Sequence, residues 1–326
     1  MQTSPITRRA GLAFFAFTLG LASQVAVAQT YPSKPVTIVV PFPAGGPNDM
    51  LARTLGERLA DQLKQPFIID NKAGATGNIG AQAVSKAAAD GHTLLLTLDT
   101  GITANPALYG KRMGFDPERD LRPIATVARF SQMLVTSSTS KITTFKQFVD
   151  SARKGLNYAS AGNASPGHLT TEALQSLIQG NLNHISYRGN APAVIDLLGG
   201  QVEAGFMATP SVAQHVSAGK LTALAVSGTR RSPLAPHVPT MAELGYPAGT
   251  TEFGYVLLAP SATPEPVVQM LNAEVRKALA SAAVRDKLKT LDIEPVGNTT
   301  QQVADELIAG RARWSQVIKE RGIQAD

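Results

Sequence analysis

Short apolar runs rich in β-branched residues alternate along this chain with segments of helical period, and that alternation limits the folds open to it. The runs at Val36–Val40, 67–70, 93–96, 124–128, 133–136, 157–160, 184–186, 204–206, Leu221–Val226 and 256–259 read as strands. Between them, 51–63 repeats Leu51, Leu55, Leu59 and Leu63 every fourth residue, which makes one apolar helix face. Segments 81–89, 144–154, 168–178, 191–198 and 211–218 read as helices in the same way. Strands that alternate with helices have both sheet faces covered, so the expected fold is α/β with two mainly parallel sheets flanked by helices. After Pro260 the strand signal fades. Segments 264–280, Ala282–Lys289 and Thr300–Arg321 read as a helical cap, the last burying Val303, Leu307, Trp314 and Ile318. Trp314 is expected to pack rather than to bind.

The first 28 residues read as a leader. Arg8 and Arg9 precede an apolar stretch, 10–21, that is short for a membrane span, and Ala26-Val27-Ala28 follows as a small-x-small cleavage site. A signal peptide over 1–28 and export to a periplasm are expected, by ordinary secretion rather than through the weak twin-arginine likeness of Thr7–Leu12. With no cysteine in the sequence, there is no disulfide and no lipid-anchored terminus. Removing 28 residues from 326 leaves 298, enough for two domains. Removing two arginines from a net charge of +6 leaves +4, a spread-out excess unlike a nucleic-acid surface. No low-complexity linker splits the chain, so the expected domains interleave: 29–130 plus 253–326, and 131–252, joined by crossing strands that act as a hinge.

Two loops carry the functional signal. "VTIVVPFPAGGPNDMLARTL" (Val36–Leu55) is a strand, a Pro/Gly-rich turn and a helix start with no lysine or arginine before Arg53. A helix start offers unpaired N–H groups and partial positive charge, and glycines let a ligand approach, so such a turn can hold an anion without a cationic side chain. "NYASAGNASPGHLTTEAL" (Asn157–Leu174) repeats the design with hydroxyls and an amide. Both loops fall at the C-terminal ends of strands, where open α/β sheets bind ligands. A third turn, Ile185–Val194, brings Tyr187 to a strand end.

The chain resembles the extracytoplasmic solute receptors of tripartite tricarboxylate transporters, the TctC or Bug family. The resemblance rests on "YPSKPVTIVVPFPAGGPNDMLAR", "NKAGATGNIGA", "NYASAGNASPGHL", "YRGNAPAVIDLLGGQVEAGF", "GKLTALAVSGTRRSPLAPHVPT" and "APSATPEPVV", in the family's order over nearly the whole mature chain. It implies a two-lobed periplasmic binding protein of type II-like architecture. Such a protein closes on a small carboxylate (a di- or tricarboxylate or an aromatic acid) and delivers it to membrane permease subunits. It implies Phe42, Ala44, Gly45, Gly46 and Asp49 on one side of the ligand. On the other side it implies Ser160, Asn163, Ala164, Ser165 and His168, with Tyr187 nearby. Asp49 is expected to cap its own helix rather than to read an ammonium group on the ligand. His168 is expected to fix its loop. Thr76, Leu98-Asp99, Met207 and Gly254 depart from the family's usual residues. The last three suggest a roomier, more apolar pocket, which favours an aromatic or longer-chain acid over citrate.

Other classes fit less well. G-x-S-x-G is absent, Gly74–Gly80 matches a dinucleotide loop only loosely, and the histidines at 92, 168, 184, 215 and 237 lack zinc-site spacing. No cofactor, metal or catalytic residue is expected, nor a nucleic-acid partner, and the protein is read as a monomer. The alternative function is a sensor that feeds a two-component system; a secreted enzyme ranks below it.

Overall fold

β1 (Val36–Val40), β2 (Phe67–Asn71) and β3 (Thr93–Leu98) pair in parallel, with Val36 opposite Phe67 and Ile38 opposite Leu94. Ile38, Leu94, Leu95 and Leu96 are wholly buried, as a strand covered on both faces requires. Between β1 and β2 runs α1 (Pro47–Leu63), whose Leu51, Leu55 and Leu59 are fully buried. Each such side chain contributes about 1.5–3 kcal/mol to folding. The computed structural model describes residues 31–325. The expected signal peptide and its cleavage point lie outside the described residues. Of the unit 1–33, only 31–33 are described, without regular structure; 34–326 form the second unit, which carries everything below.

After α2 (Asn78–Ser85), β3 and three short helices, α3 (Thr100–Thr103), α4 (Asn105–Tyr109) and α5 (Pro117–Asp120), the chain enters β4 (Leu121–Phe130). It then crosses at Ser131 into a second sheet. That sheet contains β5 (Gln132–Ser137), β6 (Leu156–Ser160), β7 (Leu182–Ser186), β8 (Ala204–Ala208) and β9 (Leu221–Val226). Its helices are α6 (Phe145–Lys154), α7 (Pro166–Ile178), α8 (Asn190–Leu198) and α9 (Thr209–Ser217). The chain returns as β10 (Phe253–Pro260), which inserts between β3 and β4. It ends with α10 (Glu265–Ala280), α11 (Ala282–Lys289), β11 (Glu294–Pro295) and α12 (Thr300–Arg321).

The strand orders are β11-β4-β10-β3-β1-β2 and β7-β6-β8-β5-β9. Both sheets are mixed. β1 to β4 share one direction while β10 and β11 oppose them; β6 to β9 share one direction while β5 opposes them. Of the reversed strands, β5 and β10 lie at the crossings. α12 buries Val303, Leu307, Trp314 and Ile318, the face expected from the sequence. The helix expected at 81–89 begins earlier, at Asn78, and ends at Ser85.

Candidate functional site

Because β1, β2 and β3 are parallel, the turns after them share one edge of the first sheet. The turns after β6, β7 and β8 share one edge of the second. The two edges meet. Ala104, just beyond β3, lies in one apolar cluster with Ala164 and Leu169, which follow β6, and with Phe253, Trp314 and Ile318. The Phe253 and Trp314 rings stack at 5.7 Å.

The first loop presents backbone. Phe42 and Gly46 are half-buried, and Ala44 and Gly45 are exposed. Gly45 has φ +84, which a side chain would strain. α1 starts at Gly46 with no side chain capping its first N–H groups, and Pro47 at the next position has none to satisfy. Asp49 does not cap that helix. Its carboxylate accepts the Gly45 N–H at 3.0 Å, Arg53 Nε and Nη2 at 3.0 Å each, and Asn71 Nδ2 at 3.0 Å. Burial alone would raise its pKa, but the bonds from Arg53, Gly45 and Asn71 outweigh that and hold it below the usual carboxylate range. With every bond turned inward, Asp49 shapes the loop, and the Gly45 N–H is already used. Asn71 also donates to the Phe42 carbonyl at 3.1 Å. Sequence reasoning passed over Asn71 and Arg53. The parallel register that sets Asn71 opposite Val40 was the signal for the first.

The second loop is largely closed. Ser160 is fully buried, with its Oγ 2.6 Å from His184 Nε2 and 3.0 Å from the Gly162 carbonyl. Ala164 is also buried, at φ +53, and its N–H donates to His168 Nδ1 at 3.0 Å. His168 thus ties the loop to the start of α7. Burial, then the neighbouring His184, pushes its pKa down to about 3, so it is neutral. Ser165 caps α7 by accepting the His168 N–H. Asn163 and Ser165 remain half-buried at the surface. Tyr187 donates to Asp196 Oδ2 at 2.6 Å, and its N–H donates to the Ser160 carbonyl.

Behind this loop lies a network that the sequence reading missed. His168 and His184 stack at 3.8 Å, and Tyr158 stacks on His184 at 5.0 Å. Tyr158 donates to Glu172 Oε1 at 2.6 Å, and Arg321 Nε donates to Glu172 Oε2 at 2.7 Å. The last turn of α12 is thus bonded to α7. The register of Tyr158 opposite His184 across β6 and β7 is the signal that could have found the stack. Met207 is core, not pocket, and packs with Met133 and Val212. Gly254 opens onto a recess beside Asp99 that Val256, Leu307 and Trp314 also line.

Residues 51–323 match the Tripartite tricarboxylate transporter family receptor. "Protein BugT" of Bordetella pertussis (strain Tohama I) is 38% identical over 95% of this chain and 96% of its own. The solved structure of periplasmic binding protein BugD superposes with a TM-score of 0.78 at 32% identity, over 90% of this chain and 99% of BugD. R. palustris Rpa4515 with adipate gives 0.81 at 35%, over 90% and 99%. MatC (Rpa3494) from Rhodopseudomonas palustris with bound malate gives 0.77 at 31%, over 88% and 100%. The fold of this chain is that of a periplasmic binding protein, as in BugD.

Proposed function

The chain belongs to the tripartite tricarboxylate transporter receptor family, a family of receptors and not of enzymes, and on that premise we propose that it captures a small carboxylate in the periplasm for a membrane permease. The observation that carries this reading is the start of α1: an uncapped helix N-terminus on a glycine-bearing turn, at the sheet edge that meets the second lobe. Ala44, Gly46 and the first turn of α1 would hold one carboxylate of the ligand, and Asn163 and Ser165 the other. Phe42, Gly45 and Asp49 shape the first loop; Ser160, Ala164, His168 and Tyr187 shape the second. Hydrogen bonds to a charged group contribute about 1.5–3 kcal/mol each, and micromolar binding needs about 8 kcal/mol net.

A ligand held at both ends favours linear dicarboxylates. The adipate and malate of the neighbours support that choice, and the burial of Met207 in the core removes one reason to prefer an aromatic acid. We take 1–28 as the cleaved leader, 29–130 plus 253–326 and 131–252 as the lobes, Ser131 and Glu252 as the crossings about which they close, and a monomer as the working form. A thermal-shift panel of adipate, malate, citrate and benzoate on the mature protein tests the reading. A binder at one hundred times its Kd stabilises by about 2.7 kcal/mol. The reading predicts that response for adipate or malate; no response to any of the four contradicts it.

A further inference from the structure

We propose that Arg188, in the turn after β7, is the cation that reads the second carboxylate of the ligand and so selects dicarboxylates over monocarboxylates. This rests on the reading above, in which one end of the ligand lies at the start of α1. Because β6, β7 and β8 run in one direction, the turn after β7 stands on the edge of the second sheet that meets the first lobe. It lies flush against the second loop. The Tyr187 N–H donates to the Ser160 carbonyl at 3.1 Å, and the Gly189 N–H donates to the Ala161 carbonyl at 3.2 Å. A Cβ at Gly162 would lie 3.3 Å from the Tyr187 carbonyl oxygen. Backbone bonds on both sides of Arg188 therefore fix where its side chain starts.

Within the turn, neighbouring side chains part. Tyr187 turns back into its own lobe: its hydroxyl donates to Asp196 Oδ2 at 2.6 Å, and it packs on the apolar cluster that holds Val194 and Met207. Gly189, at φ +109, has nothing within 4 Å of a Cβ position, so the turn borders open space. Arg188 lies between them and is exposed. Among the described residues it makes no ion pair and no hydrogen bond. Asp196, the nearest acid in sequence, is engaged by Tyr187 instead.

The groups around it leave this role open. In the first lobe Arg53 is spent, giving Nε and Nη2 to Asp49. In the second loop Ser165 caps α7, the Ala164 N–H goes to His168, and Ser160 is buried against His184. A dianion that spans the two edges thus meets backbone donors at α1 and, on the lobe that carries Asn163 and Ser165, a guanidinium with its bonds unmade. An Arg–carboxylate contact is charge-assisted and takes a bidentate form, whereas a methyl end offers it no acceptor. No lysine or arginine precedes the helix in either loop; the cation comes from the turn beside them.

The test is calorimetric titration of adipate, and of hexanoate, the same carbon chain with one carboxylate, into mature wild type, Arg188→Gln, Arg188→Lys and Arg276→Gln. Arg276 is an exposed arginine of α10 that also has no partner among the described residues, so its variant controls for lost net charge. Arg188→Gln is expected to weaken adipate by about tenfold or more and hexanoate by less than about twofold. Its melting temperature should stay unchanged, since the side chain is exposed. Arg188→Lys should recover part of the loss, and Arg276→Gln should match wild type. Raising NaCl from about 50 to about 500 mM should weaken adipate more in wild type than in Arg188→Gln. Equal adipate affinity in wild type and Arg188→Gln, or the same fractional loss for adipate and hexanoate, overturns the proposal. Where hexanoate is too weak to titrate, the salt slopes decide. If wild type binds no dicarboxylate, the reading of the α1 start has failed and this one with it; if wild type and Arg188→Gln bind adipate alike, only the role of Arg188 has failed.

Discussion

The turn after β1 and the turn after β6 are alike in sequence and opposite in construction. Each joins a buried strand to a helix through small residues with no cation before the helix. The first turns its one carboxylate inward, onto Gly45, Arg53 and Asn71, and leaves the helix start uncapped. The second caps its helix with Ser165, buries Ser160 and Ala164, and rests on a stack of His168, His184 and Tyr158 that ends at Glu172 and Arg321. One loop is a donor surface held from its side; the other is a rigid block held from behind. Small residues without cations therefore do not by themselves mark a ligand contact. The bonds already made decide which groups remain to meet one.

The largest test of that contrast uses pH. Asp99, at the edge of the first sheet, has its carboxyl raised to about 7 chiefly by burial. The folded state then keeps a proton that the unfolded state gives up near pH 4, so this group lowers stability as pH climbs from about 4 to 7. His168, in the second loop, has its pKa depressed to about 3, so it lowers stability as pH falls below about 6.5. The slopes oppose. Asp99→Asn should raise stability at pH 8 relative to pH 4, by up to about 4 kcal/mol compared with wild type; His168→Gln should do the reverse, making the protein relatively more stable at low pH. Denaturant melts across pH read both.

Next in size, Arg321→Ala strips the nearly buried Glu172 of its cation. We expect a loss of about 2 kcal/mol, less than for a fully buried pair because Arg321 is partly solvated. The loss should be larger than that of any single change in the first loop. Asp49→Ala frees the Gly45 N–H and unties Asn71, and should cost about 1 kcal/mol of stability, measurable in urea. Its larger effect should be on the affinity for adipate, which we expect to fall by tenfold or more as the turn loses its shape. Ser165→Ala removes a helix cap and should cost about 1 kcal/mol, with affinity falling only a few-fold. Were Ser165→Ala to harm binding more than Asp49→Ala, the contrast between the loops would be reversed.

Much of the architecture was legible because it depends on period. Leu51, Leu55 and Leu59 turned to the core, and Val303, Leu307, Trp314 and Ile318 formed one buried face. The reversed strands β5 and β10 were not legible, because an apolar run has the same composition in either direction. At the site, the positions of the two turns were legible and their hydrogen bonds were not. Whether Asp49 caps its helix or braces the turn depends on Asn71, which comes alongside only through strand register. The Glu172–Arg321 bond joins residues 149 apart in sequence, a pairing that no local pattern encodes. Met207 was misplaced for a related reason: composition does not tell which way a strand residue faces, and this side chain lies in the core.

The central claim, that the uncapped start of α1 holds one end of a carboxylate, is tested most directly by calorimetric titration of adipate into wild type and Gly46→Val. A Cβ at Gly46 meets only the Pro43 carbonyl, at 3.6 Å, and φ is −77, so the fold should tolerate the change. The account predicts an unchanged melting temperature and a Kd at least tenfold weaker. Undiminished adipate binding by the variant would contradict it.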